Sequence, residues 1–340
     1  LEHAVLSARE GVPLRILVTR LRYLGDVILT TPVIDALRDC FPEAEIWYMA
    51  EPPHSSILEN HPGLAGVIDA GGTLSTIRKL RNLRFAAAID LFYNPRSANL
   101  LRLSGIPVRI GGGRKWRRRL YTHNFDSDRS IRNAISQHLA AVQVLGCEPA
   151  VRRPRICLGE AELESGRKSV EAAFGGQMPG RVAVFQAGGT WPSKRWPVSS
   201  FAALTELIEE RFGARVLLIT GPGQESISEG VASGSGGSAV VMPVLPIRQV
   251  AAAIAACGAL VANDGGVMHA GVAMGLPTVG IFGPTEREMW FPYSGMGPFE
   301  VITSGAECAP CHLHECDNMK CLENISAGEV AEGLGRVTGW

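Results

Sequence analysis

Short, continuous apolar runs recur along the chain, and each is followed by a stretch of helical spacing. The first, 14–19 (LRILVT), has no polar alternation and suits a strand buried on both faces. A glycine-bearing segment, 20–26, follows. Thr31 and Pro32, an N-cap and a first-turn proline, then introduce the helical pattern of Val33, Ile34 and Leu37, which Pro42 stops. A second apolar run fills 46–50, further segments at 66–69, 73–83, 85–91, 97–103 and 108–110 continue the alternation, and a longer helical pattern spans 131–145. The stretch 150–179 is polar and rich in charge. Beyond it the pattern restarts, with strands at 182–186, 215–220, 239–242, 260–263 and 278–282 between helices at 198–212, 224–232, 247–256 and 267–274. A terminal helix begins near Ser326. Strands alternating with helices imply parallel sheets covered on both faces. Two such series predict an α/β chain of two doubly wound, Rossmann-like domains facing across a cleft, over 12–160 and 178–325, with a C-terminal helix at 326–340. Ligands of such sheets bind beyond the carboxyl ends of the strands, so the loops there should carry the chemistry.

Composition agrees with this reading and adds one feature. The chain has 340 residues, enough for two domains at about 100–200 residues each, and its 46% hydrophobic and 19% charged residues argue against global disorder. The longest uncharged apolar stretch, 250–262, is shorter than the roughly 18 residues a membrane span needs. Glu2, Arg9 and Glu10 precede the first apolar run without a small-residue cleavage site, unlike a signal peptide; residue 1 is Leu, so the native start is expected to lie upstream. Equal numbers of basic and acidic residues, 33 each, exclude a strongly basic nucleic-acid binder. That balance hides an asymmetry: 1–155 holds 22 basic and 14 acidic residues, a net of +8, which leaves −8 on 156–340. The densest basic run, Arg114, Lys115, Arg117, Arg118 and Arg119 around Trp116, suits phosphates or an anionic membrane surface, and equally suits a solvated loop.

Of eight cysteines, Cys40, Cys147, Cys157 and Cys257 are scattered and read as ordinary reduced thiols. Cys308, Cys311, Cys316 and Cys321 instead form a C-x2-C-x4-C-x4-C cluster around His312 and His314. Zinc, an iron–sulfur cluster and a packed reduced loop are all compatible with that spacing.

Three strand-end loops stand out. Asp26, after the first strand, is placed either to accept a proton from an attacking hydroxyl or to stabilise a helix N-terminus. Gly188, Gly189, Thr190 and Lys194, after the strand at 182–186, suit a phosphate or a fixed turn. The third loop holds Asp264, Gly265, Gly266 and His269, a glycine-opened helix start of the kind that binds anions. Thr285 ends the next strand's loop, and Glu225, after the strand at 215–220, suits a ribose hydroxyl pair. Neither the phosphate-binding G-x-x-x-x-G-K-[ST] nor the nucleophile-bearing G-x-S-x-G occurs.

Arg20, Leu24, Gly25 and Asp26 with Pro32, then Lys194, Trp196 and Pro197, then Asp264, Gly265, Gly266 and His269, then Gly283, Pro284 and Thr285, and finally the cysteine cluster together resemble glycosyltransferase family 9, the ADP-heptose:lipopolysaccharide heptosyltransferases. The likeness covers about 14–335 and is nearer to the heptosyltransferase II branch, where a similar cysteine-rich loop occurs. The resemblance implies a GT-B fold with an acceptor-binding N-terminal and a donor-binding C-terminal domain. It also implies inverting, metal-independent transfer from ADP-L-glycero-β-D-manno-heptose to a phosphorylated lipid A–core acceptor, with no required cofactor, in the cytoplasm against the inner face of the inner membrane. Carried over by position, Asp26 resembles the general base and Lys194 the donor-phosphate cation. Asp264, Gly265, Gly266 and His269 are similar to the loop that holds the donor's diphosphate and heptose, and Glu225 to the acidic residue near the nucleotide ribose; Gly188, Thr190 and Thr285 are expected beside them in the donor site, and Arg20, Arg114, Lys115 and Arg117 in the acceptor site. Gly265 departs from the hydroxyl residue frequent there, and Gln186 from a frequent His or Asn. A different nucleotide-sugar donor is therefore one rival reading; others are a sugar epimerase of the same fold and a non-catalytic nucleotide or redox sensor with a cysteine-bound metal.

Overall fold

The apolar run at the start forms β1 (Arg15–Thr19), of which the last four residues are fully buried, and α1 (Leu24–Leu29) and α2 (Thr31–Cys40) follow it. The computed structural model describes residues 13–113, 115–125 and 130–340, except the side chain of Lys115. Next come β2 (Glu45–Ala50), β3 (Gly66–Asp69), α3 (Thr73–Leu83), β4 (Ala87–Asp90), α4 (Pro95–Ser104), β5 (Val108–Gly111), β6 (His123–Asn124) and α5 (Ala134–Gln143). The strands form one parallel sheet in the order β3-β2-β1-β4-β5-β6. This unit ends at Cys157.

The second unit, Leu158–Trp340, opens with α6 (Glu160–Ala173). It continues through β7 (Val182–Gln186), α7 (Val198–Phe212), β8 (Arg215–Leu218), α8 (Glu225–Gly234), β9 (Ala239–Val241), α9 (Ile247–Ala255), β10 (Ala259–Asn263) and α10 (Gly266–Met274). The last elements are β11 (Thr278–Ile281), α11 (Arg287–Trp290), β12 (Phe299–Ile302), α12 (Lys320–Glu323) and α13 (Ala327–Thr338). Its parallel sheet runs β12-β11-β10-β7-β8-β9, and buried residues from β7, β8, β10, β11, α7 and α13 make its core. Both sheets have the doubly wound α/β arrangement, with the strand order reversing between β1 and β4 and between β7 and β10.

Several local expectations need correcting. The N-cap of α2 is Thr30, not Thr31; the Thr31 hydroxyl donates to the Ile28 carbonyl and accepts from the Arg155 N–H. Cys40 and Cys147, read as reduced thiols, form a disulfide between the end of α2 and the segment after α5. The polar stretch at 150–179 contains α6. Its N-terminal Glu162 accepts from the Gly159 N–H at 2.8 Å and pairs with Arg248 of α9. Edge strand β12, half-buried throughout, was not legible as a strand because glycines and a proline precede a run of only four residues. No helix among the described residues is long and apolar enough to cross a membrane.

Candidate active site

In the first unit the loops after β1 and β4 meet at the point where the strand order reverses. The Leu91 N–H donates to the Thr19 carbonyl at 2.9 Å, which brings Arg20 beside the chain leaving β4. The Arg20 guanidinium donates to the Leu91 carbonyl at 2.7 Å and to the Arg22 carbonyl at 3.1 Å, and lies 4.8 Å from the centre of the Phe92 ring. Its remaining nitrogen pairs with Asp26 Oδ1 at 2.5 Å, while Asp26 Oδ2 accepts the Tyr23 N–H at 3.1 Å. Asp26 thus closes the first turn of α1, and its side chain keeps 18% exposure. Each carboxylate oxygen has a second lone pair, so capping the helix and accepting a proton are compatible roles.

Two buried groups missed by the sequence reading support this corner. Asp90, the last residue of β4, accepts the Tyr121 hydroxyl at 2.7 Å and the N–H groups of Phe92 and Tyr93 at 2.9 and 3.2 Å. Burial raises its carboxyl, against the pull of those hydrogen bonds. The turn that presents Phe92 to Arg20 is therefore held from beneath. His138 of α5 is pushed down to about 3, chiefly by burial and further by Arg20. Its buried Nδ1 has no hydrogen-bond partner among the described residues. An Asp closing an apolar strand run was the available signal for Asp90; His138 gave none. Of the basic run, Arg114 and the side chain of Lys115 lie outside the described residues. Arg117 is half-buried in a 3-10 turn, Lys115–Leu120, which also exposes Trp116 and leads into Tyr121.

In the second unit three strand-end loops converge on one oxygen. Lys194, from the loop after β7, pairs with Asp264 Oδ2 at 2.6 Å, and Thr285, from the loop after β11, donates its hydroxyl to the same atom at 2.6 Å. The Lys194 side chain is 17% exposed and that of Asp264 only 4%. Asn263, at the end of β10, clamps the loop after β7: its amide donates to the Ala187 and Gly188 carbonyls at 2.8 and 3.0 Å and its oxygen accepts the Trp196 N–H at 3.1 Å. Gln224 closes the other side by donating to the Gly189 carbonyl at 3.1 Å. A Cβ on Gly188 would lie 1.9 Å from Gln224 Oε1, so that glycine permits the close approach. Sequence reasoning passed over Asn263 and Gln224, although each is a polar residue closing a strand or its loop.

Gly265 precedes α10 with φ 177°, extended backbone open to any residue. A Cβ there would meet only the Asn263 carbonyl, at 3.7 Å. The departure from a hydroxyl residue leaves room without strain. Gly266 opens α10, whose first N–H groups carry the positive end of the helix dipole. His269 is buried one turn further on, its Nδ1 2.6 Å from the Tyr293 hydroxyl, and burial raises Tyr293. Tyr293 had no sequence signal. Thr190 and Glu225 are exposed, the latter accepting the Gly223 N–H at 3.3 Å at the start of α8. Both stand outside the Lys194–Asp264–Thr285 cluster.

The metal reading of the cysteines is not supported: among the described residues no group of three or more His, Cys, Asp or Glu side chains is arranged to hold a metal ion. Cys321 is buried on α12, next to Gly283, whose added Cβ would lie 3.2 Å from its sulfur. Cys308 and Cys311 are exposed, and the Cys316 thiol exchanges hydrogen bonds with Asn318.

Residues 73–322 match the model of "Glycosyltransferase family 9 (heptosyltransferase)". The chain is 25% identical to lipopolysaccharide heptosyltransferase 1 of Pseudomonas aeruginosa, over 89% of this chain and 87% of that one. It is likewise 25% identical to lipopolysaccharide heptosyltransferase 2 of Escherichia coli K12, over 83% and 86%. Among solved structures, a family 9 glycosyl transferase from Veillonella parvula superposes with a TM-score of 0.83 at 24% identity, covering 98% of this chain and 99% of the other. The E. coli ADP-heptose heptosyltransferase II structure superposes with a TM-score of 0.78 at 22% identity, covering 96% and 98%. Two doubly wound units and these superpositions give the chain the GT-B fold, and the family match makes it a glycosyltransferase. More particularly, the chain belongs to glycosyltransferase family 9, the heptosyltransferases.

Proposed function

We propose that the protein transfers a heptose from ADP-L-glycero-β-D-manno-heptose to a phosphorylated lipid A–core acceptor, inverting the anomeric centre and needing no divalent metal. The observation that carries this reading is the convergence of Lys194 and Thr285 on Asp264 beside the N-terminus of α10. A donor diphosphate entering there competes with Asp264 for the Lys194 ammonium, and the freed carboxylate turns to sugar hydroxyls. The names of the E. coli and P. aeruginosa relatives support a heptose donor and a lipopolysaccharide acceptor.

On this reading the second unit binds the donor through Gly188, Thr190, Lys194, Glu225, Asp264, Gly265, Gly266, His269 and Thr285. The first binds the acceptor, with Arg20, Arg114, Lys115 and Arg117 meeting its phosphates. Asp26 takes the proton of the acceptor hydroxyl as that oxygen bonds to the anomeric carbon, and the bond from that carbon to the ADP oxygen breaks on the opposite face. Lys194 and the start of α10 stabilise the charge growing on the departing ADP, the role a metal plays in other transferases. The net +8 of the first half suits work against the anionic inner face of the inner membrane.

Calorimetric titration with ADP-, UDP- and GDP-sugars, followed by mass spectrometry of a heptose-deficient core lipid incubated with the preferred donor, tests the proposal. ADP-heptose should bind most tightly and add one heptosyl unit. Tighter binding of a UDP- or GDP-sugar, or donor binding without transfer to the lipid, contradicts it.

A further inference from the structure

The cysteine-bearing loop between β12 and α12 is not used by the mechanism above, yet it spans both loops that meet at Asp264. Its end is fixed where Cys321 and Leu322 pack on Gly283; an added Cβ on that glycine would lie 2.8 Å from Leu322 and 3.2 Å from Cys321. Its middle hangs on Pro284, whose carbonyl accepts the N–H groups of Cys311 and His312 at 3.0 and 2.9 Å, while the His312 ring pairs with Glu286 at 2.9 Å. Thr285 lies between Pro284 and Glu286, the two residues that hold this middle part. The next residues reach the loop after β7: the Ser193 N–H donates to the His314 carbonyl at 3.2 Å, and the Ser193 hydroxyl to the Leu313 carbonyl at 2.5 Å. The His314 ring stacks on Trp191, centroids 3.8 Å apart and planes 25° from parallel. Trp191 in turn carries the Lys194 ammonium 4.4 Å from its ring centre, and its carbonyl accepts the Lys194 N–H at 3.1 Å.

We infer that this loop is a brace for the donor site and that His314 is a positioning residue, acting through Trp191 to hold the Lys194 ammonium where the donor diphosphate binds. The inference rests on the donor reading of Lys194 given above. Physically, a flexible four-carbon side chain with three donors is a poor fixed charge unless its stem and head are held. Asp264 holds the head only until a diphosphate displaces it. The ring of Trp191, itself held by His314, remains as the fixed surface against which the ammonium sits in the loaded site. His314 is not one of the groups that meet at Asp264, and it reaches Lys194 through Trp191.

The test compares wild type, Lys194→Ala, His314→Ala, His314→Phe and the double variant Lys194→Ala/His314→Ala by calorimetric titration with ADP, with hydrogen exchange followed across 191–195. His314→Ala should weaken ADP binding about five- to tenfold and speed exchange at Ser193 and Lys194. His314→Phe, which keeps a stacking ring, should bind ADP nearly as wild type does. The double variant should bind no more weakly than Lys194→Ala alone, because both act on one contact. Unchanged ADP affinity in His314→Ala alongside a weakened Lys194→Ala overturns the brace, as does an equal loss in His314→Phe. If Lys194→Ala itself binds ADP normally, the donor reading fails instead. The brace is then judged by exchange alone, and unaltered exchange at Ser193 and Lys194 in His314→Ala overturns it.

Discussion

At the scale of residues, the corner of the first unit sets a neutral imidazole beside a charged pair. Arg20 and Asp26 are joined at 2.5 Å, and His138 lies close enough for Arg20 to act on it. Burial keeps the His138 ring neutral, moving it from its ordinary 6.5 to about 3. In the unfolded chain it titrates normally. Between about 6.5 and 3 the unfolded state therefore binds a proton that the folded state refuses, and stability falls as pH falls through that window, by up to about 1.4 kcal/mol per pH unit. Above 6.5 the group contributes no slope. Urea unfolding of wild type and His138→Gln at pH 7 and pH 5 checks this: the stability lost between the two should be smaller in the variant, and equal losses would show that His138 takes up its proton in the folded state.

At the scale of elements, the close packing of α6 on α9 makes the sharpest statement. A Cβ on Gly166 would lie 2.2 Å from the Ala252 carbonyl oxygen and 2.3 Å from its carbon, and backbone cannot swing aside as a side chain can. Gly166→Ala should destabilise the second unit by about 1–3 kcal/mol despite alanine's better helix propensity. Thermal melts measure it, and a melting temperature at or above that of wild type would mean the helices do not meet there. Sequence patterning could not show this contact, because α6 falls in a charge-rich stretch whose apolar positions are few. Where a run is continuous and its neighbours punctuate it, pattern and structure agree closely: β7 is Val182–Gln186 and α7 is Val198–Phe212, as read. α1 escaped notice because Gly25 and Asp26 look like loop and the helix is only six residues long. The same rule governs the site. Lys194, Asp264 and Thr285, which the structure brings together, each follow a recognisable strand, whereas Trp191 and His314, which stack beside Lys194, meet only where two loops come together in space.

At the scale of the whole molecule, the proposed division of labour follows the division of charge. Ile156 and Cys157 are uncharged, so the unit ending at Cys157 carries the net +8 and the unit from Leu158 the net −8. On the proposed reading, the donor in the acidic unit depends on a few local positive groups, Lys194 and the start of α10, and the chemistry in the basic unit on one carboxylate, Asp26. The proposed base and the proposed donor site lie at the two sheet reversals, in different halves of the chain, and should fail separately. The most direct measurement is ADP affinity and heptosyl-transfer rate on Asp26→Asn, set beside wild type. The account predicts ADP binding within about twofold of wild type and a turnover number lower by roughly 10²–10⁴. Normal turnover in Asp26→Asn, or loss of ADP binding in step with loss of transfer, would contradict it.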